Sequence, residues 1–328
     1  MPNVKQITSE KMGTIYELSN DSGTIVRLSP EGARLLDWVV PVEEGRDIVV
    51  GFDTIEGHRQ ARYYGATIGP VAGRIAGTRF EIDGQEYQTE DNDGGNTLHG
   101  GSKGLDTDTW ITETFEEADK AGVIFTTTRQ DGDGGFPGNV RYQVTYTLTN
   151  DNELLLAYDA NTDKATLFNP TNHGYFNLTG DTQQPIDDHL VQINAEHVAE
   201  TNDDVTTTGE KTPVAGTKFD FRQERPMGTT MLDDPFLLDH GQEWDLKVTS
   251  PDQKVQLTVT TDRPAVVIYT TGEGEAGAPM KTGPFANHGG MAIETQGVPG
   301  SEKFPHFGEI VLRPEEPFHS VTTYQVHF

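Results

Sequence analysis

A histidine within a loop-like segment is the first candidate for chemistry in this sequence. Residues 169–180 read NPTNHGYFNLTG, which places His173 close to the aromatic rings of Tyr175 and Phe176. Asparagine, glycine and proline favour turns, so we expect a rigid loop between strands. Imidazole is the side chain whose ordinary pKa lies nearest to physiological pH, so His173 is suited to act as an acid or a base. A neighbouring aromatic ring offers a flat surface for a ring-shaped ligand.

Three other segments combine one ionisable side chain with small neighbours. They read GPVAGRIAGTRF, NTLHGG and AIETQG, and they contain Arg74, His99 and Glu294, respectively. Arg74 offers several donors in a fixed fork, which suits hydroxyl groups or a carboxylate. Two glycines follow His99 and permit a close approach of the backbone to a ligand. Glu294 follows small apolar residues where a strand is expected to give way to a loop, and this position suits a base.

The sequence lacks the motifs of the common metal and cofactor enzymes. Its ten histidines form no HExxH motif and no closely spaced pair, so spacing predicts no metal site. There is also no Gly-x-Ser-x-Gly elbow, no phosphate-binding loop and no dinucleotide-binding loop. The commonest hydrolase, kinase and dehydrogenase mechanisms are therefore excluded, and no cofactor is expected.

The formal net charge of -28 restricts the partners that this chain can bind. Nucleic acids and anionic membranes attract clusters of Lys and Arg, so neither is an expected partner. The charge also disfavours a phosphorylated substrate, although a local basic pocket can override the overall field. The sequence contains no apolar run of about 18 residues and no signal-peptide pattern near its start, and we expect a cytoplasmic protein.

Short strands separated by turns account for most of the sequence. Asp83-Gly84 predicts a tight hairpin turn. Apolar residues from Val140 to Leu148 alternate with polar ones, which predicts a strand with one buried face. The apolar run Val266–Tyr269 predicts a strand covered on both faces, and residues 47–52 are also expected to form a strand. No convincing amphipathic helix or linker is found, so we predict one all-β domain over residues 1–328, a large antiparallel β-sandwich.

Together these segments resemble the aldose 1-epimerase family, whose members are also called galactose mutarotases. The resemblance covers most of the chain and rests on short motifs in a fixed order. The motifs are GRI around Arg74, NTLHGG followed by Trp110, NHGYFNL around His173, and ETQ beginning at Glu294. The resemblance implies a galactose mutarotase-like supersandwich with an active-site cleft, and an isomerase that needs no cofactor.

The resemblance also implies a role for each candidate residue. His173 matches the general acid of the family, and Glu294 matches its general base. Arg74 and His99 match residues that bind the substrate. Asp233 matches an aspartate that holds sugar hydroxyls.

Four further positions qualify this assignment. Asp239 is an alternative match for the sugar-binding aspartate. Gly73 and Val267 stand where family members often have amides that bind hydroxyls, which leaves the exact sugar open. Tyr175 is an additional candidate for contact with the sugar.

The implied reaction interconverts the α and β anomers of a free aldohexose such as galactose or glucose. Glu294 would take the proton of the C1 hydroxyl, and protonated His173 would supply one to the ring oxygen. General acid–base help of this kind contributes roughly 10²–10⁴-fold for each positioned group. For activity near neutral pH, nearby negative charge is expected to raise the pKa of His173.

The sequence leaves other interpretations open. The substrate can be a reducing disaccharide such as maltose or a hexose 6-phosphate, although no cluster of Lys and Arg lies near the motifs. The chain can also be a non-catalytic carbohydrate-binding protein on the same fold, but the presence of both His173 and Glu294 argues against this. A monomer and a homodimer are both compatible with the sequence.

Overall fold

The computed structural model describes residues 1–275 and 277–328 and consists almost entirely of strands. The first half of the chain, in order, contains β1 (Asn3–Ser9), β2 (Gly13–Ser19), β3 (Ile25–Ser29), β4 (Arg34–Val40), β5 (Arg46–Asp47), α1 (Ile55–Gln60), β6 (Thr67–Ile68), β7 (Arg74–Ile75), β8 (Arg79–Ile82), β9 (Gln85–Gln88), β10 (Thr97–Leu98), β11 (Ile111–Glu116), β12 (Lys120–Arg129), β13 (Val140–Thr149), β14 (Glu153–Thr162) and β15 (Thr166–Leu167). The second half contains β16 (Thr171–Asn172), β17 (Tyr175–Phe176), β18 (Leu190–Ile193), β19 (His197–Thr201), β20 (Thr207–Pro213), β21 (Arg225–Pro226), β22 (Asp233–Leu237), β23 (Leu246–Thr249), β24 (Gln256–Thr261), β25 (Ala265–Thr270), β26 (Pro279–Met280), β27 (Gly283–Pro284), β28 (Met291–Gln296), β29 (Val311–Leu312) and β30 (Phe318–His327).

Two large antiparallel sheets form the sandwich. The nine-stranded sheet has the order β11-β12-β13-β14-β30-β24-β23-β18-β21, and the six-stranded sheet has the order β17-β28-β25-β22-β19-β20. A five-stranded sheet of β1 to β5 lies at the start of the chain, and short two-stranded ladders join the loops. The ladders of the large sheets are antiparallel, so the predicted antiparallel β-sandwich is confirmed.

Strand β13 illustrates how the sequence pattern produces the core. Its alternate residues from Val140 to Leu148 are buried, and the residues between them face outward. Side chains of successive strand residues point to opposite faces, so strict alternation buries only one of them. The buried set belongs to one large apolar cluster that also includes Ile268 and Ile293 of the six-stranded sheet. The main core therefore lies between the two sheets.

The other face of the six-stranded sheet is turned away from this core. Its central strands are paired so that Val267 lies opposite Glu294, and Asp233 lies opposite Tyr269. These four side chains line a cavity, whereas Ile293, the neighbour of Glu294, is in the core. Period-2 alternation in a sheet covered on both faces thus directs one set of side chains, which includes Asp233 and Glu294, to the cavity and the other set to the core.

Two local features differ in detail from the sequence prediction. The strand expected over residues 47–52 is wrong for most of its length, because β5 ends at Asp47 and only an isolated bridge joins Val49 to Phe176. A short helix, α1, follows, and the hydroxyl of Thr54 caps its N-terminus by accepting from the Gly57 N–H. Among the described residues, no helix is long and apolar enough to span a membrane.

Candidate active site

The candidate residues from different parts of the sequence line one cavity. This cavity has a volume of about 600 Å³ and lies on the outer face of the six-stranded sheet. Its lining includes all six residues for which a catalytic or binding role was expected, namely Arg74, His99, His173, Tyr175, Asp233 and Glu294. The structure therefore brings together side chains that are more than 200 residues apart in the chain.

His173 and Glu294 form a close pair at the bottom of the cavity. Nε2 of His173 lies 3.4 Å from Oε1 of Glu294, and both side chains are no more than 5% exposed. A sugar that reaches the pair can meet a carboxylate and an imidazole at the same end of its ring. Such an arrangement can remove one proton and deliver another without a large movement of either group.

Backbone and amide hydrogen bonds fix the loop that carries His173. The His173 N–H donates to the Ala66 carbonyl at 2.9 Å, and its own carbonyl accepts from the Gly65 N–H at 2.8 Å. The amide of Asn172 donates to the Gly65 carbonyl at 2.8 Å. The expected loop is therefore the short connection between β16 and β17. Hydrogen bonds from Asn172 and His173 attach it to Gly65 and Ala66, which precede β6.

A two-residue ladder brings Arg74 next to His99. Strand β7 pairs with β10, so that Arg74 lies opposite Leu98. The His99 N–H donates to the Gly73 carbonyl at 2.9 Å, and the Gly73 N–H donates to Nδ1 of His99 at 3.2 Å. Because Nδ1 accepts, neutral His99 carries its proton on Nε2 and acts as a donor there. Gly100 must be small, since a Cβ there would lie 2.3 Å from the Gly69 carbonyl oxygen.

Carboxylates hold the guanidinium of Arg74 at the rim of the site. Asp93 accepts from its Nε at 2.6 Å, and a carboxylate oxygen of Asp233 lies 3.8 Å from its Nη1. Asp93 was not recognised in the sequence. Asp239, the alternative to Asp233, instead accepts from the Glu196 N–H at 2.7 Å and does not line the cavity.

Burial disfavours the charged form of each member of the central pair. It lowers the pKa of His173 to about 4 and, with the nearby charge of Asp233, raises the pKa of Glu294 well above its usual value. No donor or acceptor among the described residues meets Nδ1 of His173 or Oε2 of Glu294, so hydrogen bonds do not offset the burial at these atoms. The expectation of a raised pKa for His173 is therefore wrong, because burial outweighs nearby negative charge.

The same residues include a set with the atoms to hold a metal ion. Ligand atoms of His99, His173 and Glu294 lie within 4.8 Å of one another, a proximity that sequence spacing did not indicate. The hydrogen bond from the Gly73 N–H occupies the Nδ1 lone pair of His99 and leaves a donor at Nε2. A donor at this position suits a sugar oxygen better than it suits a cation.

Aromatic rings surround the two histidines. The ring of Tyr175 stacks on His173 at 4.9 Å between centroids, and Tyr64 stacks on the other side of Tyr175 at 4.0 Å. Tyr63 meets His99 edge-on at 4.7 Å. Phe176, which was also considered for sugar contact, belongs to the main core and does not line the cavity.

Sequence reasoning missed several residues that line the cavity. Tyr269 and Gln296 could have been found by alternation, since each lies two positions beyond a recognised cavity residue in its strand, Val267 and Glu294, respectively. Glu275 carried no such signal, because it lies in a loop and accepts from the hydroxyl of Tyr269 at 2.9 Å only in the folded chain.

The comparisons with known proteins agree with this geometry. A family model described as aldose 1-epimerase matches residues 14–325. A maltose epimerase from Levilactobacillus brevis is 32% identical over 98% of this chain and 98% of its own length. A galactose mutarotase from Homo sapiens is 36% identical over 95% of this chain and 94% of its own length. The crystal structure of an aldose epimerase homologue from C. elegans has a TM-score of 0.88 and 27% identity, covering 100% of this chain and 99% of that one.

These matches extend over nearly the whole chain, and the fold is that of the solved homologue. The expected family assignment is therefore confirmed. The chain belongs to the aldose 1-epimerase family, and it is an isomerase.

Proposed function

We propose that this protein is a mutarotase that interconverts the α and β anomers of a free aldohexose such as galactose or glucose. The observation that carries the proposal is the buried pair of His173 and Glu294, whose Nε2 and Oε1 atoms lie 3.4 Å apart in a cavity. In this proposal His173 is the general acid and Glu294 is the general base. Arg74 and His99 hold the sugar from the rim of the site.

The two groups are sufficient for the proton transfers of the reaction. Ionised Glu294 takes the proton of the C1 hydroxyl, protonated His173 gives a proton to the ring oxygen, and the bond between C1 and the ring oxygen breaks. The resulting aldehyde rotates about the C1–C2 bond and closes from its other face, and both protons return. Ring opening leaves both groups uncharged, which is the state that burial favours.

The remaining polar residues of the cavity fit a neutral, hydroxyl-rich substrate. We propose that Asp233 accepts from sugar hydroxyls, and that the hydroxyl of Tyr175, which makes no hydrogen bond within the described residues, also contacts the sugar. Asp233 lies 3.8 Å from Nη1 of Arg74, so one charged pair can offer an acceptor and a donor to adjacent hydroxyls.

The charges in the cavity disfavour a hexose 6-phosphate. The cations that line the described part of the cavity are Arg62 and Arg74, and each is already paired with a carboxylate at 2.6 Å. Three further carboxylates line the same cavity, those of Asp233, Glu275 and Glu294. A phosphate dianion would meet net repulsion here.

A reducing disaccharide such as maltose is the second candidate substrate. The maltose epimerase from Levilactobacillus brevis matches 98% of this chain. The cavity also extends beyond the central pair to an apolar wall that includes Phe52, Ala278 and Met280. Apolar and aromatic walls suit the hydrophobic faces of a second sugar ring.

Polarimetry of freshly dissolved sugars tests the proposal. Solutions of α-D-galactose, α-D-glucose and maltose are followed with and without the protein, and the spontaneous rate is subtracted. We expect a faster approach to the equilibrium rotation with at least one aldohexose. Acceleration with maltose alone would favour the second candidate, and no acceleration with any sugar would favour a non-catalytic carbohydrate-binding protein.

Other properties stay predictions. We propose that residues 1–328 form one domain, and the sharing of one core cluster by Leu18 and Val326, near opposite ends of the chain, supports this. A cytoplasmic location and a monomeric or homodimeric state are also expected from the sequence.

A further inference from the structure

The side-chain amide of Gln296 has no hydrogen-bond partner among the residues that the structure describes. The residue is 1% exposed, and neither its Oε1 nor its Nε2 bonds to any described residue. Gln296 nevertheless lines the cavity that holds His173 and Glu294. A buried amide without partners is costly, so its presence at this position requires an explanation.

The strand geometry places this amide beside the reacting pair. Gln296 lies two residues after Glu294 in β28, so both side chains rise from the same face of the sheet, about 7 Å apart along the strand. Gly73 is also close to this amide, since a Cβ at Gly73 would lie 4.0 Å from Oε1 of Gln296. Gly73 and Val267, which also line the cavity, carry no polar side-chain atoms. Among the described residues, Gln296 therefore offers a side-chain amide next to Glu294 in the cavity.

The chemistry of a carboxamide matches that of a ring hydroxyl. A hydroxyl both donates and accepts, and a carboxamide offers an acceptor oxygen and two donor hydrogens. If the C1 hydroxyl lies at Glu294, Gln296 is too far away to contact the same hydroxyl. It can instead reach a hydroxyl at another carbon of the same sugar. Binding of the sugar would satisfy the amide that folding leaves unpaired.

We propose that Gln296 is a specificity-determining residue that hydrogen-bonds to one non-anomeric hydroxyl of the aldose. This inference rests on the proposed mutarotase function and adds to it the residue that selects among aldoses. Selection of this kind is strong, because a site with a buried polar group binds poorly any sugar that leaves the group unpaired. Gln296 takes no part in proton transfer.

A thermodynamic cycle that combines one substitution in the protein with the removal of one hydroxyl from the sugar tests this role of Gln296. Wild type and Gln296→Leu are compared on glucose and on its 2-, 3-, 4- and 6-deoxy derivatives, with KM and kcat measured by polarimetry. Equilibrium binding of the same sugars is measured in parallel by calorimetry. Gln143→Leu is the matched control, because Gln143 lies in β13, outside the cavity, and accepts from Arg141 instead.

We expect Gln296→Leu to raise KM for glucose roughly tenfold, as for the loss of one or two neutral hydrogen bonds, with a much smaller change in kcat. One deoxy sugar should bind wild type more weakly than glucose does, and this difference should vanish in the variant. The thermal midpoint of Gln296→Leu should equal or exceed that of wild type, because an unpaired amide is removed. The control should retain wild-type values throughout.

The outcomes separate this inference from the proposed function. If each deoxy sugar is disfavoured relative to glucose in Gln296→Leu as much as in wild type, in both kinetics and binding, the amide contacts no hydroxyl. The inference is then overturned, even if KM rises. If wild type binds the sugars but does not speed their mutarotation, the proposed function fails, and the binding cycle still decides the role of Gln296.

Discussion

Nε2 of His173 lies 3.4 Å from Oε1 of Glu294, and both side chains are shielded from solvent. Burial lowers the pKa of His173 to about 4 and raises the pKa of Glu294. Between the lowered pKa of His173 and the raised pKa of Glu294, the pair therefore holds one proton. A pair with a protonated carboxyl and a neutral imidazole contains as many protons as a pair with a carboxylate and an imidazolium. Catalysis thus needs no raised pKa for His173, because the active fraction depends on the total number of protons that the pair holds.

The pH dependence of kcat/KM should be bell-shaped, with limbs set by the gain and the loss of a proton by this pair. The acid limb should lie near the lowered pKa of His173, about 4, and the basic limb should lie well above the usual pKa of a glutamate. In His173→Gln only Glu294 must ionise, so the residual activity should rise with pH and show no basic limb. Spontaneous mutarotation is subtracted at each pH. A basic limb that persists in this variant would assign the acid to another group, with His99 the first candidate.

Loss of Arg74 or His99 should weaken substrate binding more than turnover. Each alanine variant should raise KM roughly tenfold or more, the effect of removing a hydrogen bond to the sugar, with a smaller loss of kcat from poorer orientation. Arg79→Ala is the matched control, because Arg79 lies in the exposed hairpin of β8 and β9, 61% exposed. If Arg74→Ala or His99→Ala abolished turnover with KM unchanged, that residue would have to exchange roles with His173.

The hydroxyl of Tyr175 should contribute to substrate binding, and its ring should hold the imidazole of His173 in position. Tyr175→Phe keeps the stack of the ring on His173, at 4.9 Å, so kcat should change little while KM rises a few-fold. Tyr87→Phe, in the hairpin of β8 and β9, is the control and should have no effect. An unchanged KM in Tyr175→Phe would restrict Tyr175 to packing against the imidazole.

Glu294 should lower the stability of the folded chain at neutral and alkaline pH. Its pKa is raised in the folded state, so folding is most favourable while the carboxyl is protonated, below the unfolded value of about 4.3. Stability is then lost as the pH rises towards the folded pKa. Glu294→Gln removes this loss, and its thermal midpoint should exceed that of wild type by an amount that grows from pH 4 upwards. Glu86→Gln is the control, because the side chain of Glu86 is 66% exposed. A constant difference between Glu294→Gln and wild type across this range would refute the assigned shift.

The fold could be predicted because its signals are local and repeated. Alternation in β13 and the Asp83-Gly84 turn each specify a strand or a hairpin within about ten residues, and both are confirmed. The prediction of a strand after Asp47 was wrong. The apolar residues there resemble those of a strand, whereas the folded chain forms only an isolated bridge, at Val49. Apolar runs report burial, and burial alone does not distinguish a strand from a buried loop.

The candidate site could be predicted only in part, because much of it depends on contacts between distant segments. Short motifs identified His99 and Arg74, but the ladder that joins them is two residues long and has no periodic signal. The lowered pKa of His173 depends on burial from several elements, which no single motif encodes. Glu275 was missed for the same reason, since only folding brings Tyr64 within 2.9 Å of it.

The most direct test of the proposed mechanism is the rate at which freshly dissolved α-D-galactose reaches its equilibrium rotation with four proteins. These are wild type, His173→Gln, Glu294→Gln and the double variant, at equal concentration and with the spontaneous rate subtracted. If the two groups work as one acid–base pair, each single variant should lose roughly 10²-fold or more in kcat, and the double variant should be little slower than the slower single variant. A single variant that retains the wild-type rate, or losses that multiply in the double variant, would contradict the assignment of His173 and Glu294 as the catalytic pair.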